Sequence, residues 1–235
     1  ILYKGLGVEG YIDIQKVKLC KTELDSQWWI GRRVWVGVDL SQTDDNTAVA
    51  MVTEEDGFVY AKVMGFIPTD KTAIKTQKEH VDYQRLINKG ECIACGEEVI
   101  DYSVVEDYVI HALEERYGVT VEQVGYDRYN AISSVQKMEA EGLECVEIKQ
   151  HSSVLHQPTK WLKEVILRQH FRYEENRLLE INFQNARCTE DTNLNKYVNK
   201  KKSTGKVDEV VALINAMYLL QQYLLNDDSF VAQTA

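Results

Sequence analysis

Three aspartates carry the chemistry this sequence offers. Asp39 ends the apolar run VWVGVDL, Asp127 ends VEQVGYD, and Asp208 opens the apolar stretch DEVVALINAMYLLQQYLL. Adjacent strands in a sheet lie about 4.8 Å apart, so Asp39 and Asp127 on neighbouring strands would meet at one sheet edge. Two buried carboxylates repel each other. A hard divalent cation such as Mg2+ or Mn2+ resolves that repulsion through oxygen ligands. Asp208 starts a helix whose apolar residues can press on the sheet, which would lean it over the other two acids. Each aspartate also has a plainer reading. Asp39 and Asp127 could start turns through their side chains, and Asp208 could favour a helix N-terminus. The three together favour a metal site.

The elements that must position these acids are readable from Val34 onward. VWVGVDL is a near-continuous apolar run, as in a strand covered on both faces. SQTDDN is turn chemistry. TAVAMVT and FVYAKVMGF are two further strands joined by EEDG, and such short connections predict an antiparallel meander. Residues 70–90 are polar and partly helical. VVEDYVIHALEERYG reads as an amphipathic helix stopped by Gly118, VEQVGYD as a fourth strand, and AISSVQKMEAEG as a helix stopped by Gly142. LECVEIK reads as a fifth strand, residues 158–187 as mainly helical, and the Asp208 stretch as a long apolar helix. The order predicts a mixed α/β sheet with helices on both faces. Residues 1–33 read as a connector packed on this domain, with IDIQKV as a short strand.

Bulk properties narrow the class. The chain has 235 residues, 44% of them hydrophobic, so a sizeable core is possible. No apolar run approaches the roughly 18–20 residues of a membrane span. The N-terminus has no signal-peptide layout and no initiator Met, so the chain reads as a piece of a longer protein. Five scattered cysteines are too few for a disulfide framework, and a reducing cytoplasm is the default setting. The net charge of −10 argues against a generic basic nucleic-acid binder but permits a local basic groove. The tract from Lys196 to Lys206 supplies one. Lys196, Lys200, Lys201, Lys202 and Lys206 occur there with no acid among them, just before Asp208. Such a patch neutralises backbone phosphates with little regard to sequence. Any single lysine of it reads as a solvated side chain.

Other residues carry weaker signals. Cys92-Ile93-Ala94-Cys95-Gly96 looks like half of a zinc knuckle, with His80 and His111 as the nearest further ligands. A structural zinc site needs four ligands, so a turn with two ordinary thiols before a helix near Val104 is the preferred reading. Asp44 and Asp45 read as turn residues, with a water-mediated ligand role as the alternative. His151 and His156 flank SSVL and are surface candidates for DNA approach. Trp28, Trp29 and Trp35 read as packing residues.

The segments VGVDLSQTDDNTAVAMV, VGYDRYNA and KKKSTGKVDEVVALINAMYLL are familiar together, as is QHSSVLHQPTKWLKEVIL between them. Over residues 34–225 the sequence resembles the nuclease domain of tailed-bacteriophage large terminase subunits, the DNA-packaging motors. The resemblance implies an RNase H-like fold. It implies an endodeoxyribonuclease that cleaves double-stranded, concatemeric viral DNA with two divalent cations, Mg2+ or Mn2+. The family's metal-binding acids fall on Asp39, Asp127 and Asp208. Asp39, central on the first strand, is the bridging candidate. Lys200 matches a family lysine, and Lys201, Lys202 and Lys206 extend the expected DNA contact.

The resemblance also implies partners: a packaging ATPase domain, a small terminase subunit and a portal, acting in the cytoplasm of an infected or lysogenic bacterial host. No GxxxxGK[ST] phosphate loop occurs, because the Gly205-Lys206 pair is followed by Val207. Residues 1–33 are therefore expected to connect to an ATPase half outside this sequence, with 34–225 as the nuclease and 226–235 as a tail. A junction resolvase or transposase on the same fold is one alternative, and an inactive docking module is another. A sugar-kinase or actin-like ATPase is a third, disfavoured because SQTDDN lacks the Gly- and Thr-rich turn that admits phosphates.

Overall fold

A computed structural model describes residues 7–41 and 46–227. Asp44 and Asp45 lie outside the described residues. The chain begins with β1 (Glu9–Gly10) and α1 (Ile14–Lys18). The meander follows as β2 (Arg33–Asp39), β3 (Thr47–Glu55) and β4 (Phe58–Ile67). Next come α2 (Thr72–Glu79), α3 (Tyr83–Asn88), β5 (Cys92–Ala94), α4 (Tyr102–Asp107) and α5 (Leu113–Tyr117), the last two joined by a π-helical stretch. Then follow β6 (Thr120–Tyr126), α6 (Ile132–Ala140), β7 (Cys145–Glu147), α7 (Ser152–Leu167), β8 (Phe171–Tyr173) and α8 (Arg177–Asn185). β9 (Arg187–Glu190), β10 (Lys196–Val198) and α9 (Asp208–Asn226) complete the chain.

Among the described residues the main sheet runs β5-β4-β3-β2-β6-β7, with β8 also paired to β4. β3 is antiparallel to β2 and β4, while β2 and β6 are parallel. The carboxyl ends of β2, β4 and β6 therefore share one edge of the sheet, where sites form in α/β folds. Alternate residues of β2 serve opposite faces. Val34, Val36 and Val38 pack with Val105, Val109, Val135 and Met138. Trp35 faces the other way, with Leu162, Leu213 and Met217. Helices thus cover both faces, as the apolar run predicts. A smaller sheet, β1-β9-β10, lies against α7.

Two expectations are corrected. IDIQKV is not a strand: Asp13 accepts the Gln15 N–H at 2.9 Å and caps α1, which buries Val17. Residues 158–187 are mainly helical, as expected, but a short strand separates two helices. α7 starts earlier, at Ser152, and ends before Gln169, which sits at φ 57°; Phe171 and Tyr173 are then buried with strand period in β8. Cys92 lies in β5, parallel to β4, rather than in a turn, and burial pushes its thiol pKa up. Residues 9–20 pack against the domain: β1 pairs β9, α1 touches α7 and α8, and Tyr11 is buried. No helix among the described residues is long and apolar enough to cross a membrane.

Candidate active site

Asp39 reaches the site because it is the last residue of β2, and Asp127 because it directly follows β6. The parallel register pairs Gly37 with Gly125, so two residues further on Asp39 and Asp127 stand level on neighbouring strands. Asp208 arrives from the opposite direction. α9 runs back across β2, and Asn215 pins it by donating from Nδ2 to the Val38 carbonyl at 3.1 Å. At the far end Arg33 donates to the Tyr223 hydroxyl at 2.9 Å. The first residue of α9 is then held over the end of β2.

A lysine ammonium joins the two acids. Lys200 Nζ lies 2.5 Å from Asp39 Oδ2 and 3.0 Å from Asp208 Oδ1. Asp39 and Asp208 are 6% and 2% exposed, whereas the Lys200 side chain is 37% exposed along its length. Burial alone would lower the lysine pKa. The charges of Asp39 and Asp208, and the hydrogen bonds to them, outweigh burial and hold it above its ordinary value. Lys200 is turned inward by a 3-10 turn over Lys200–Lys202, which Asn199 caps by accepting the Lys201 N–H at 3.0 Å. Lys201 and Lys202 are exposed and Lys206 is half-buried, its carbonyl accepting from Asn185 at 3.0 Å.

Asp127 stands apart from this pair. It is half-buried, and its Oδ1 accepts the Tyr129 N–H at 3.3 Å, so the carboxylate is turned into its own turn. Among the described residues no three His, Cys, Asp or Glu side chains are gathered closely enough to hold a metal ion. The donor set nevertheless fits a hard cation: two buried carboxylates already converge on one positive centre, with a third on the adjacent strand.

Glu209 is a feature that the sequence reading passed over, although it directly follows Asp208. Its backbone N–H donates to Asn182 Oδ1 at 3.0 Å, and its buried carboxyl oxygens have no hydrogen-bond partner among the described residues. Burial first, then the charges of Glu91 and Asp208, push its pKa well above the usual carboxylate range. His151 caps α7, and His156 Nδ1 accepts the Lys196 N–H at 2.9 Å. Trp29 and Trp35 are buried, and Trp28 packs on Tyr60.

Residues 7–222 match the family described as "Terminase large subunit, endonuclease domain". The chain belongs to that family. It is thus an endonuclease domain, a hydrolase of phosphodiester bonds, and the kinase-like reading of the Asp39 turn is set aside. The terminase large subunits of Lactococcus phages p2 and SK1 are each 28% identical over 135 residues, covering 53% of this chain. The match spans 23% of their length, so this chain corresponds to a minor part of those relatives. The HK97 bacteriophage large terminase superposes with a TM-score of 0.81 at 21% identity, over 91% of this chain and 44% of that one. The nuclease of thermophilic phage G20c with bound magnesium gives 0.53 at 13% identity, over 88% and 96%. Terminase nucleases have an RNase H-like fold, and the mixed sheet described above is of that kind.

Proposed function

We propose that this domain cuts double-stranded, concatemeric viral DNA during genome packaging, assisted by two divalent cations, Mg2+ or Mn2+. The observation that carries the reading is the convergence of the buried Asp39 and Asp208 carboxylates on one cationic centre at the sheet edge. The magnesium in the G20c nuclease supports the choice of metal. Asp39, Asp127 and Asp208 would hold the ions. Bound there, the ions would supply an activated water and neutralise charge on the phosphate and the leaving oxygen.

The chain's own residues do the rest. Asp39 and Asp208 present ionised oxygens from two rigid elements, β2 and α9. Asp127 would have to leave its turn to join them. Lys200 carries a permanent charge beside the reacting phosphate, while Lys201, Lys202 and Lys206 meet flanking backbone phosphates. On this reading an ATPase domain of the same polypeptide drives the DNA, with residues 1–33 as connector and 226–235 as a tail beyond the nuclease. A small terminase subunit and a portal would complete the assembly in the cytoplasm of an infected or lysogenic bacterial host.

The test is incubation with supercoiled plasmid and Mn2+, with and without EDTA, beside Asp39→Ala. Nicking that needs Mn2+ and vanishes in the variant supports the assignment. Equal behaviour of the two proteins removes Asp39 from the mechanism.

A further inference from the structure

A second cationic site lies away from the Asp39–Asp208 pair, between α7 and the small β1-β9-β10 sheet. It is a cavity of about 350 Å³ that shares no lining residue with that pair. Its floor includes Tyr11 and Cys188, both buried. The Tyr11 hydroxyl is committed to the Thr159 carbonyl at 2.7 Å. The Thr159 hydroxyl is not committed among the described residues: Thr159 is 2% exposed, lines the cavity, and its Oγ1 has no hydrogen-bond partner there. A helical threonine can return its hydroxyl to the preceding turn, and a buried hydroxyl that bonds nothing is a net cost. A ligand oxygen would remove that cost.

The rim is cationic. Lys160 and Lys163 are three residues apart on α7, and Lys196 enters from β10. Lys196 is engaged, 2.7 Å from Glu9 and 3.8 Å from Glu190. Among the described residues Lys160 has only a long contact of 3.8 Å with Glu164. Lys163 is half-buried; its charge acts on Glu9, which also lines the cavity, but it forms no ion pair within 4 Å among the described residues. Two under-committed ammonium groups and one uncommitted hydroxyl thus border an aromatic floor, in a chain whose net charge is −10. Cavities of this size with few convergent polar groups are typical ligand sites. Lysines bind phosphate as point charges, and an aromatic floor suits a flat apolar group beside it.

We propose that this cavity binds a nucleotide phosphate, with Lys160 and Lys163 on the phosphate and Thr159 on one of its oxygens. The phosphate comes either from a free nucleotide or from a DNA strand. The site does not depend on the cleavage reading, because no residue of the metal centre takes part.

The test uses the whole chain in EDTA at low salt. Thymidine 5′-monophosphate and thymidine are titrated by calorimetry, and a short blunt duplex by fluorescence anisotropy. Lys163→Glu, Lys163→Gln and Thr159→Val are compared with the unmodified chain, and circular dichroism checks that each is folded. The monophosphate should bind and thymidine should not. Lys163→Gln should weaken phosphate binding about tenfold or more. If only the monophosphate is affected, the ligand is a free nucleotide. If duplex binding also weakens and its salt dependence falls by about one charge, the ligand is the DNA backbone. Failure of both probes to bind, or equal binding of both by Lys163→Gln and the unmodified chain, overturns the proposal.

Discussion

Gly37 of β2 lies so close to Ala212 of α9 that a Cβ at residue 37 would collide with the Ala212 carbonyl oxygen. It would also come within 2.5 Å of the Ala216 nitrogen. Both obstacles are helix backbone, which cannot yield without lifting α9 off the sheet. The approach sets the height at which Asp208 meets Asp39. Gly37→Ala is expected to destabilise the fold by about 3 kcal/mol or more in a urea titration. Gly125→Ala is the control. Its Cβ would meet the side-chain ends of Ile148 and Leu219, at 2.5 and 3.0 Å, and these can rotate away. A cost of about 1 kcal/mol is expected there. Equal costs would show that α9 is free to shift.

Lys200 is the internal counter-charge of Asp39 and Asp208. Lys200→Ala in EDTA is expected to lower stability by about 2–3 kcal/mol. That is below the loss for a fully buried pair, because the lysine stem is partly in water. Added Mn2+ should then raise the melting temperature more in the variant than in the unmodified protein. An equal rise in both would mean that the ammonium and the cation do not compete for the same oxygens.

Asn215 ties α9 to β2 and to the loop before α7. It donates to the Val38 carbonyl at 3.1 Å and accepts from Gln150 Nε2 at 3.2 Å, and it is fully buried. Asn215→Leu keeps the branched shape and removes both bonds. A loss of about 1–3 kcal/mol is expected, together with reduced plasmid nicking, because the residue before Asp39 loses its tie to α9. Nicking unchanged despite the stability loss would separate the tie from positioning.

Asp191 fastens the β9–β10 turn to α7. Its carboxylate accepts from Ser152 Oγ at 2.6 Å and from the N–H groups of Asn193 and Asn195 at 2.8 and 3.0 Å. The hydrogen bonds from Ser152 and Asn195 hold its pKa well below the usual carboxylate value. A depressed folded pKa gives stabilisation that is present above the unfolded carboxylate pKa of about 4 and is lost as pH falls through the lower folded value. Hydrogen exchange of residues 191–196 should therefore stay protected at neutral and mildly acidic pH and open only in stronger acid. Asp191→Asn should expose the turn at every pH. Protection unchanged in Asp191→Asn would count against the carboxylate as the fastener.

Local patterning alone determined much of the architecture. The unbroken apolar run before Asp39, the EEDG connection and the glycine stops at 118 and 142 set the meander and the helices after it. They do so because side-chain period and turn chemistry are properties of a few adjacent residues. The strand-end positions of Asp39 and Asp127 and the helix-start position of Asp208 were legible for the same reason. Short elements were not: α1, β5 and β8 span only three to five residues each, and pairing or capping decides them. The lysine tract marked a basic patch, but only the folded chain turns Lys200 inward and leaves Lys201 and Lys202 in solvent. Tertiary structure alone also turns Asp127 into its own loop, buries Glu209 beneath Asp208, and sets Lys163 of α7 across a cavity from Lys196 of β10. These placements depend on how α9, α7 and the small sheet dock, and docking is a long-range packing outcome that no window of sequence contains.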